Sequence, residues 1–167
     1  IEAMCARIPT LNGYTNSGTV MSYGYDPYLS EISPFHGAVF AIIDSLTKYV
    51  ACGGDYKKAW FTFQEYFEKL RNEPLRWGKP LAALLGAYLV QEKLGLASIG
   101  GKDSMSGSYN ELDVPPTLVS FCIGVVDTNK VVSNEFKKAG SKVYILKAKY
   151  TEDFIPDFDD LRENYEI

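Results

Sequence analysis

The chain has 167 residues, 46% of them hydrophobic and 23% charged, with a formal net charge of −4 and a pI near 5.1. That length and composition suit one domain with a real core, and the acidic balance leaves no footprint for nucleic acid, whose affinity rests on Lys and Arg. Cys5, Cys52 and Cys122 lack the spacing of a zinc or redox motif and read as reduced thiols; with no secretory or membrane-spanning run in residues 1–30, a soluble, cytoplasmic protein is expected.

In chain order, residues 1–33 mix Asn, Gly, Ser, Thr and Tyr and predict loops with at most one edge strand. Ser33-Pro34 then reads as an N-cap with proline at the first helical position, and Gly53-Gly54 as a stop, so a helix is expected from Pro34 to Ala51. Val39, Ile43, Leu46 and Val50 form its buried stripe, with His36, Phe40, Asp44 and Lys48 in a neighbouring row. Trp60–Phe63 predicts a strand and Gln64–Arg71 a short helical segment. A second helix is expected from Pro80, with Leu81, Leu84, Leu85, Tyr88 and Leu89 at helical spacing and Gly95 as its cap.

Ala97–Ile99 reads as a brief strand entering Gly100-Gly101-Lys102-Asp103-Ser104-Met105-Ser106-Gly107, a stretch too rich in glycine and serine to continue it. Thr117–Val126 is the clearest strand, with Val119, Phe121, Ile123 and Val125 on one face and Ser120, Cys122 and Gly124 on the other. A further strand is expected over Lys142–Lys147. The acidic segment 151–167 predicts a solvated or partly ordered tail. The final residues carry no closing signal, and both ends read as cut from a longer chain.

The glycine-rich loop concentrates the chemistry. Glycines let backbone N–H groups approach an anion, Lys102 supplies a point charge, and Ser104 and Ser106 add hydroxyls. The spacing is neither that of a P-loop nor of a dinucleotide fingerprint, and a plain turn between strands explains the same residues equally well. Asp44 and Lys48 offer a carboxylate for Mg²⁺ and an ammonium for phosphate, against the plainer reading of an i,i+4 surface ion pair. His36, the sole histidine, reads as a packing or hydrogen-bonding residue, and Cys52 as structural.

The run Ser98-Ile99-Gly100-Gly101-Lys102-Asp103-Ser104-Met105-Ser106, followed by Pro116-Thr117-Leu118-Val119-Ser120, resembles the second synthetase repeat of phosphoribosylformylglycinamidine synthases. Met21-Ser22-Tyr23-Gly24 is similar to the family's Met-Ser-Ile-Gly, and the helix from Pro34 to the helix that carries Gly-Glu-Ala-Leu-Thr-Asn. The resemblance implies an α/β (α+β) fold, the amino-terminal half of an aminoimidazole-ribonucleotide-synthetase-like unit, with a mostly antiparallel sheet and helices on one face. Residues 1–138 would form that half, and 139–167 would begin the carboxy-terminal half. The family's metal-binding Glu and Asn correspond to Asp44 and Lys48, and charged Lys48 cannot ligate Mg²⁺. Gly100, Gly101, Lys102, Asp103, Ser104 and Ser106 would face nucleotide and ribonucleotide, with Gln64 near a polar active-site position.

The implied activity is ATP-dependent C–N ligation with glutamine as nitrogen donor, using ATP and Mg²⁺. The implied partners are the remaining domains of a parent chain, including a glutaminase, a small ribonucleotide substrate, and, for the isolated piece, a second copy paired through the sheet. The glutaminase nucleophile is not visible in the sequence, so the piece alone is expected to be inactive. The alternatives are a structural nucleotide-binding and sheet-pairing module, or another ATP-dependent member of the same superfold.

Overall fold

Helix α2 (Pro34–Ala51) organises the computed structural model, which describes residues 2–167. Its start follows from sequence: Ser33 caps it, its hydroxyl accepting from the His36 amide at 3.3 Å, and Pro34 supplies a pre-set φ where no N–H is needed. The expected stripe is present in Val39, Ile43 and Leu46, and is widened by Ala38, Ala41, Ile42, Ser45 and Tyr49, all buried. Burying Val39, Ile42 and Leu46 completely contributes roughly 1.5–3 kcal/mol each.

Beneath α2 lies a five-stranded sheet in the order β1-β2-β7-β3-β4. Its strands are β1 (Ala3–Arg7), β2 (Ser17–Gly24), β3 (Trp60–Tyr66), β4 (Ala97–Lys102) and β7 (Thr117–Asp127); β5 (Ser108–Tyr109) and β6 (Leu112–Asp113) make a small separate hairpin. All pairings in the main sheet are antiparallel except β3 with β4, which α3 (Pro74–Leu94) connects as a parallel crossover. The mostly antiparallel sheet and the helices are those of the expected α/β fold class.

The two faces of β7 divide the sheet. Leu118, Ser120, Cys122, Gly124 and Val126 face the helices and are buried, while Val119, Phe121 and Ile123 are half-buried and Val125 is exposed on the other side. The covered face is thus the one with small residues, because α2 sits too close for larger ones. A Cβ at Gly24 would fall 2.2 Å from the Ala41 carbonyl oxygen, and one at Gly124 2.1 Å from the Tyr49 hydroxyl. Ser45 fills the same seam, hydrogen-bonded to the Ser120 hydroxyl at 2.9 Å while its carbonyl accepts from Ser22 at 2.6 Å. No helix among the described residues covers the opposite face, where Met21, Tyr23, Trp60 and Val125 are exposed.

Several expectations are corrected. Residues 1–33 hold two strands and helix α1 (Pro27–Ile32), capped by Asp26, because Ser17–Gly24 gains a full ladder with β7. Gln64–Arg71 is not helical: Gln64, Glu65 and Tyr66 pair with Val119, Leu118 and Thr117 and extend β3. Helix α3 begins at Pro74, not Pro80, and carries Pro80 inside it; Gly95 closes it with φ 67° as expected. Strand β4 runs on through Gly100, Gly101 and Lys102, because pairing with β3 outweighs their weak strand preference.

Lys142–Lys147 forms no strand, having no ladder partner among the described residues, and leaves Val143, Tyr144, Ile145 and Leu146 exposed. The acidic end is not a loose tail. Asp157 caps helix α4 (Phe158–Tyr165), which buries Leu161 and sets the Tyr165 hydroxyl 2.8 Å from that of Thr47 on α2. No helix among the described residues is long and apolar enough to cross a membrane.

Candidate functional site

Strands β2, β3 and β4 run in the same direction, so their carboxyl ends lie along one edge of the sheet. Both chemical clusters singled out in the sequence lie there. Register places Gly24, Ser120, Phe63 and Gly101 in one row across β2, β7, β3 and β4. Asp44 sits over Gly24, and Lys102 follows Gly101. Three inter-strand steps separate the clusters, roughly 14 Å. Metal–oxygen bonds of about 2.0–2.6 Å cannot bridge that distance, so Asp44 and Asp103 do not share one metal ion.

The Asp44 cluster is closed. The Lys48 ammonium lies 2.7 Å from Asp44 Oδ2 and 2.8 Å from Glu2 Oε2, and it donates to the Tyr23 carbonyl at 3.0 Å. Lys48 thus occupies Oδ2 of Asp44 and leaves the rest of its carboxylate toward solvent. Asp44 nonetheless borders a groove of 640 Å³ lined also by Tyr25, Tyr28, Phe40, Thr47 and Tyr150. The Tyr25 hydroxyl, 3.0 Å from that of Thr117, ties the groove to the start of β7. His36 makes the hydrogen bonds expected of it, with Nδ1 2.8 Å from the Ser33 hydroxyl and Nε2 2.9 Å from the Asp153 carbonyl oxygen.

The Lys102 cluster is open. Lys102 and Asp103 are exposed, and among the described residues neither side chain makes a hydrogen bond or ion pair. Gln64 lies beside them: its amide donates to the Lys102 carbonyl at 3.2 Å and to that of its neighbour Glu65 at 3.0 Å. Ser104 and Ser106 join hydroxyls at 2.8 Å. Phe67 brackets the turn, its N–H donating to Ser104 at 2.8 Å and its carbonyl accepting from Gly107 at 2.9 Å. Gly101 is needed for packing, since a Cβ there would meet the Phe63 carbonyl oxygen at 2.7 Å, whereas a Cβ at Gly100 would meet nothing within 4 Å.

Sequence reasoning missed the carboxylates on the inner side of this edge. Glu65 follows Phe61 and Phe63 on the core-facing side of β3 and is only 6% exposed, with no side-chain partner. Burial, and then the Asp103 carboxylate, push its pKa up to about 7. Glu68, 4% exposed, is paired with Lys79 at 2.8 Å and Arg76 at 3.4 Å. Alternation along Trp60–Tyr66 was the available signal, since it puts a glutamate where an apolar residue belongs.

A glycine-flanked edge with a free ammonium, two hydroxyls and an uncompensated carboxylate is suited to a phosphorylated ligand with a cation. No protein-family model and no curated protein sequence matches the chain. Among solved structures, the fold is that of aminoimidazole-ribonucleotide-synthetase-like proteins. Phosphoribosylformylglycinamidine synthase II from Thermotoga maritima superposes with a TM-score of 0.67 at 20% identity, over 80% of this chain and 21% of that one. PurLQS from Thermotoga maritima gives 0.66 at 21%, and T. maritima PurL complexed with FGAR gives 0.68 at 20%, with the same coverage. The chain therefore spans about a fifth of the chains it resembles.

Proposed function

We propose that this chain is part of the synthetase region of a phosphoribosylformylglycinamidine synthase, and that residues Gly100–Ser106 hold phosphate there. The observation that carries this reading is the unpaired Lys102–Asp103 pair at the carboxyl edge of the sheet. Support comes from the fold shared with T. maritima PurL, which has been solved with ATP and with FGAR. The complete reaction would convert formylglycinamide ribonucleotide, ATP and glutamine to formylglycinamidine ribonucleotide, ADP, phosphate and glutamate. ATP phosphorylates the substrate's amide oxygen, and ammonia from a glutaminase in the parent chain displaces the phosphate.

In that reaction Lys102 neutralises phosphate charge, Ser104 and Ser106 donate hydroxyl hydrogen bonds, and Gln64 fixes the Lys102 backbone. Mg²⁺, when bound, would spread the charge of the transferring phosphoryl group, with Asp103 or the groove-facing side of Asp44 as its protein ligand. The exposed sheet face would pair with a second synthetase half or a second copy. The chain would divide near residue 139, where the following half begins, and the enzyme would act in the cytoplasm.

The test is ammonia-dependent synthesis in the full-length enzyme, which bypasses the glutaminase. Lys102→Ala loses a charge-assisted contact of about 1.5–3 kcal/mol, or roughly tenfold to more than a hundredfold in substrate binding or turnover. Asp103→Asn shifts the Mg²⁺ dependence. Unchanged kinetic constants in both variants would rule out the site. A second reading, that the groove holds a nucleotide structurally, is favoured by the Asp44–Lys48 pair, which occupies the carboxylate without a metal. A nucleotide that co-purifies unhydrolysed and is lost on narrowing the groove at Thr47 supports it.

A further inference from the structure

Beyond the Lys102–Ser106 turn lies a charged network centred on Arg76 in the first turn of α3. The Arg76 side chain is only 16% exposed, and its guanidinium reaches three carboxylates: Glu73 at 2.9 Å, Asp113 at 2.8 Å and Glu68 at 3.4 Å. It also donates to the Lys69 carbonyl at 3.1 Å. These partners belong to two different pieces of chain. Glu68 and Lys69 belong to the strap that follows β3, whose Phe67 brackets Ser104 and Gly107. Asp113 lies in β6, and accepts from the Ser108 hydroxyl at 2.5 Å. Ser108 closes the circuit by accepting from the Lys69 amide at 2.9 Å.

The turn from Ser104 to Gly107 is therefore held between a strap and a hairpin, and one guanidinium binds both. A guanidinium suits this better than an ammonium, because its five N–H donors are spread over three nitrogens in a planar fork and so span a wider gap. The Asp113 carboxyl is held well below the usual range, first by Arg76 and then by Ser108, so the link stays ionised at any ordinary pH. Lys79 provides a second cation for Glu68 but reaches nothing in the hairpin.

We propose that Arg76 is a positioning residue for the phosphate-binding turn: by joining the Phe67–Lys69 strap to the Ser108–Asp113 hairpin, it fixes the conformation in which Ser104 and Ser106 present their hydroxyls beside Lys102. The functional half of this statement rests on the reading that the turn holds phosphate. Its structural half is independent of that reading.

The test uses the full chain with Mg-ATP as the probe and hydrogen exchange as the structural readout. In Arg76→Met, amides from Ser104 to Asp113 exchange at least roughly tenfold faster while those of α2 and β7 keep their wild-type rates, and Mg-ATP affinity falls roughly tenfold. Arg76→Lys restores part of the protection and less of the affinity, since one nitrogen spans the two pieces less well than the fork. Loop exchange within about twofold of wild type in Arg76→Met overturns the proposal. If that variant does not fold, Asp113→Asn cuts only the hairpin link and carries the same expectation, and unchanged loop exchange there is equally fatal. Lys102→Ala separates the two readings: unaltered Mg-ATP binding in that variant removes the phosphate role, and the exchange rates alone then decide whether Arg76 positions the turn.

Discussion

Two lysine–aspartate pairs lie along one edge of the same sheet, and they behave in opposite ways. Asp44 and Lys48 are four residues apart on a helix, so their side chains stack on one face and meet at 2.7 Å. Lys102 and Asp103 are adjacent at the end of a strand, where successive side chains project to opposite faces. They cannot reach each other, and each keeps its charge for something else. Lys102 stays on the open side with Gln64, its register partner, while Asp103 acts on buried Glu65. Residue identity alone does not make a binding site; the period of the element that carries the pair decides whether the charges cancel.

Three measurements sharpen this contrast. The largest effect is expected from Gly24→Ala, which drives a Cβ into the Ala41 carbonyl under the closed pair and forces α2 off the sheet. It should cost roughly 3 kcal/mol in urea denaturation, and a loss below about 1 kcal/mol would mean the helix is not seated as described.

Next comes pH, read on the open side. Glu65 has a folded pKa of about 7 against an ordinary 4.5, so the folded state holds a proton that the unfolded state releases first. The stability that Glu65 contributes is therefore full below about pH 4.5 and falls as pH rises to about 7, by on the order of 3 kcal/mol in total. Denaturation curves at pH 5 and pH 8 in the presence of a chelator should show the fall, and Glu65→Gln should flatten it. The smallest effect separates the two lysines. Lys48→Met should cost about 0.5–1 kcal/mol by breaking its pairs with Asp44 and Glu2, whereas Lys102→Met should leave stability within about 0.5 kcal/mol of wild type. Equal losses would show that Lys102 has a protein partner after all.

Much of the architecture could be read before any coordinates because local signals agreed with tertiary need. Ser33-Pro34 and Gly53-Gly54 mark α2 at both ends, and the long charge-free, β-branched-rich run of Thr117–Val126 marks β7. The misses share a cause. Ser17–Gly24 and Gly100–Lys102 are weak strand sequences that hold because β7 and β3 pair with them, and pairing over a long sequence separation leaves no local trace. Val143–Leu146 is the converse, a strong strand sequence with no ladder partner among the described residues. At the candidate site, Lys102, Ser104 and Ser106 stand out in the sequence from glycine punctuation and chemistry, and Gln64 only through the family resemblance. Glu65, Arg76 and Asp113 do not, since only the fold brings them to that edge.

Strand β4 lies at the end of the sheet, so one side of its backbone is left without a ladder. Two glycines leave part of this rim bare of side chains, and although the register shift at Ile99 kinks it, an unpaired edge invites strands from other molecules to add on. The lysine at its end is a common natural deterrent, because adding a strand there would bring a second copy's ammonium alongside it. A lysine at that position therefore opposes edge-to-edge pairing whether or not a ligand binds. Loss of activity on removing it has meaning only in preparations shown to be free of aggregate, and Lys102→Arg, which keeps the charge, is the control that separates the two duties.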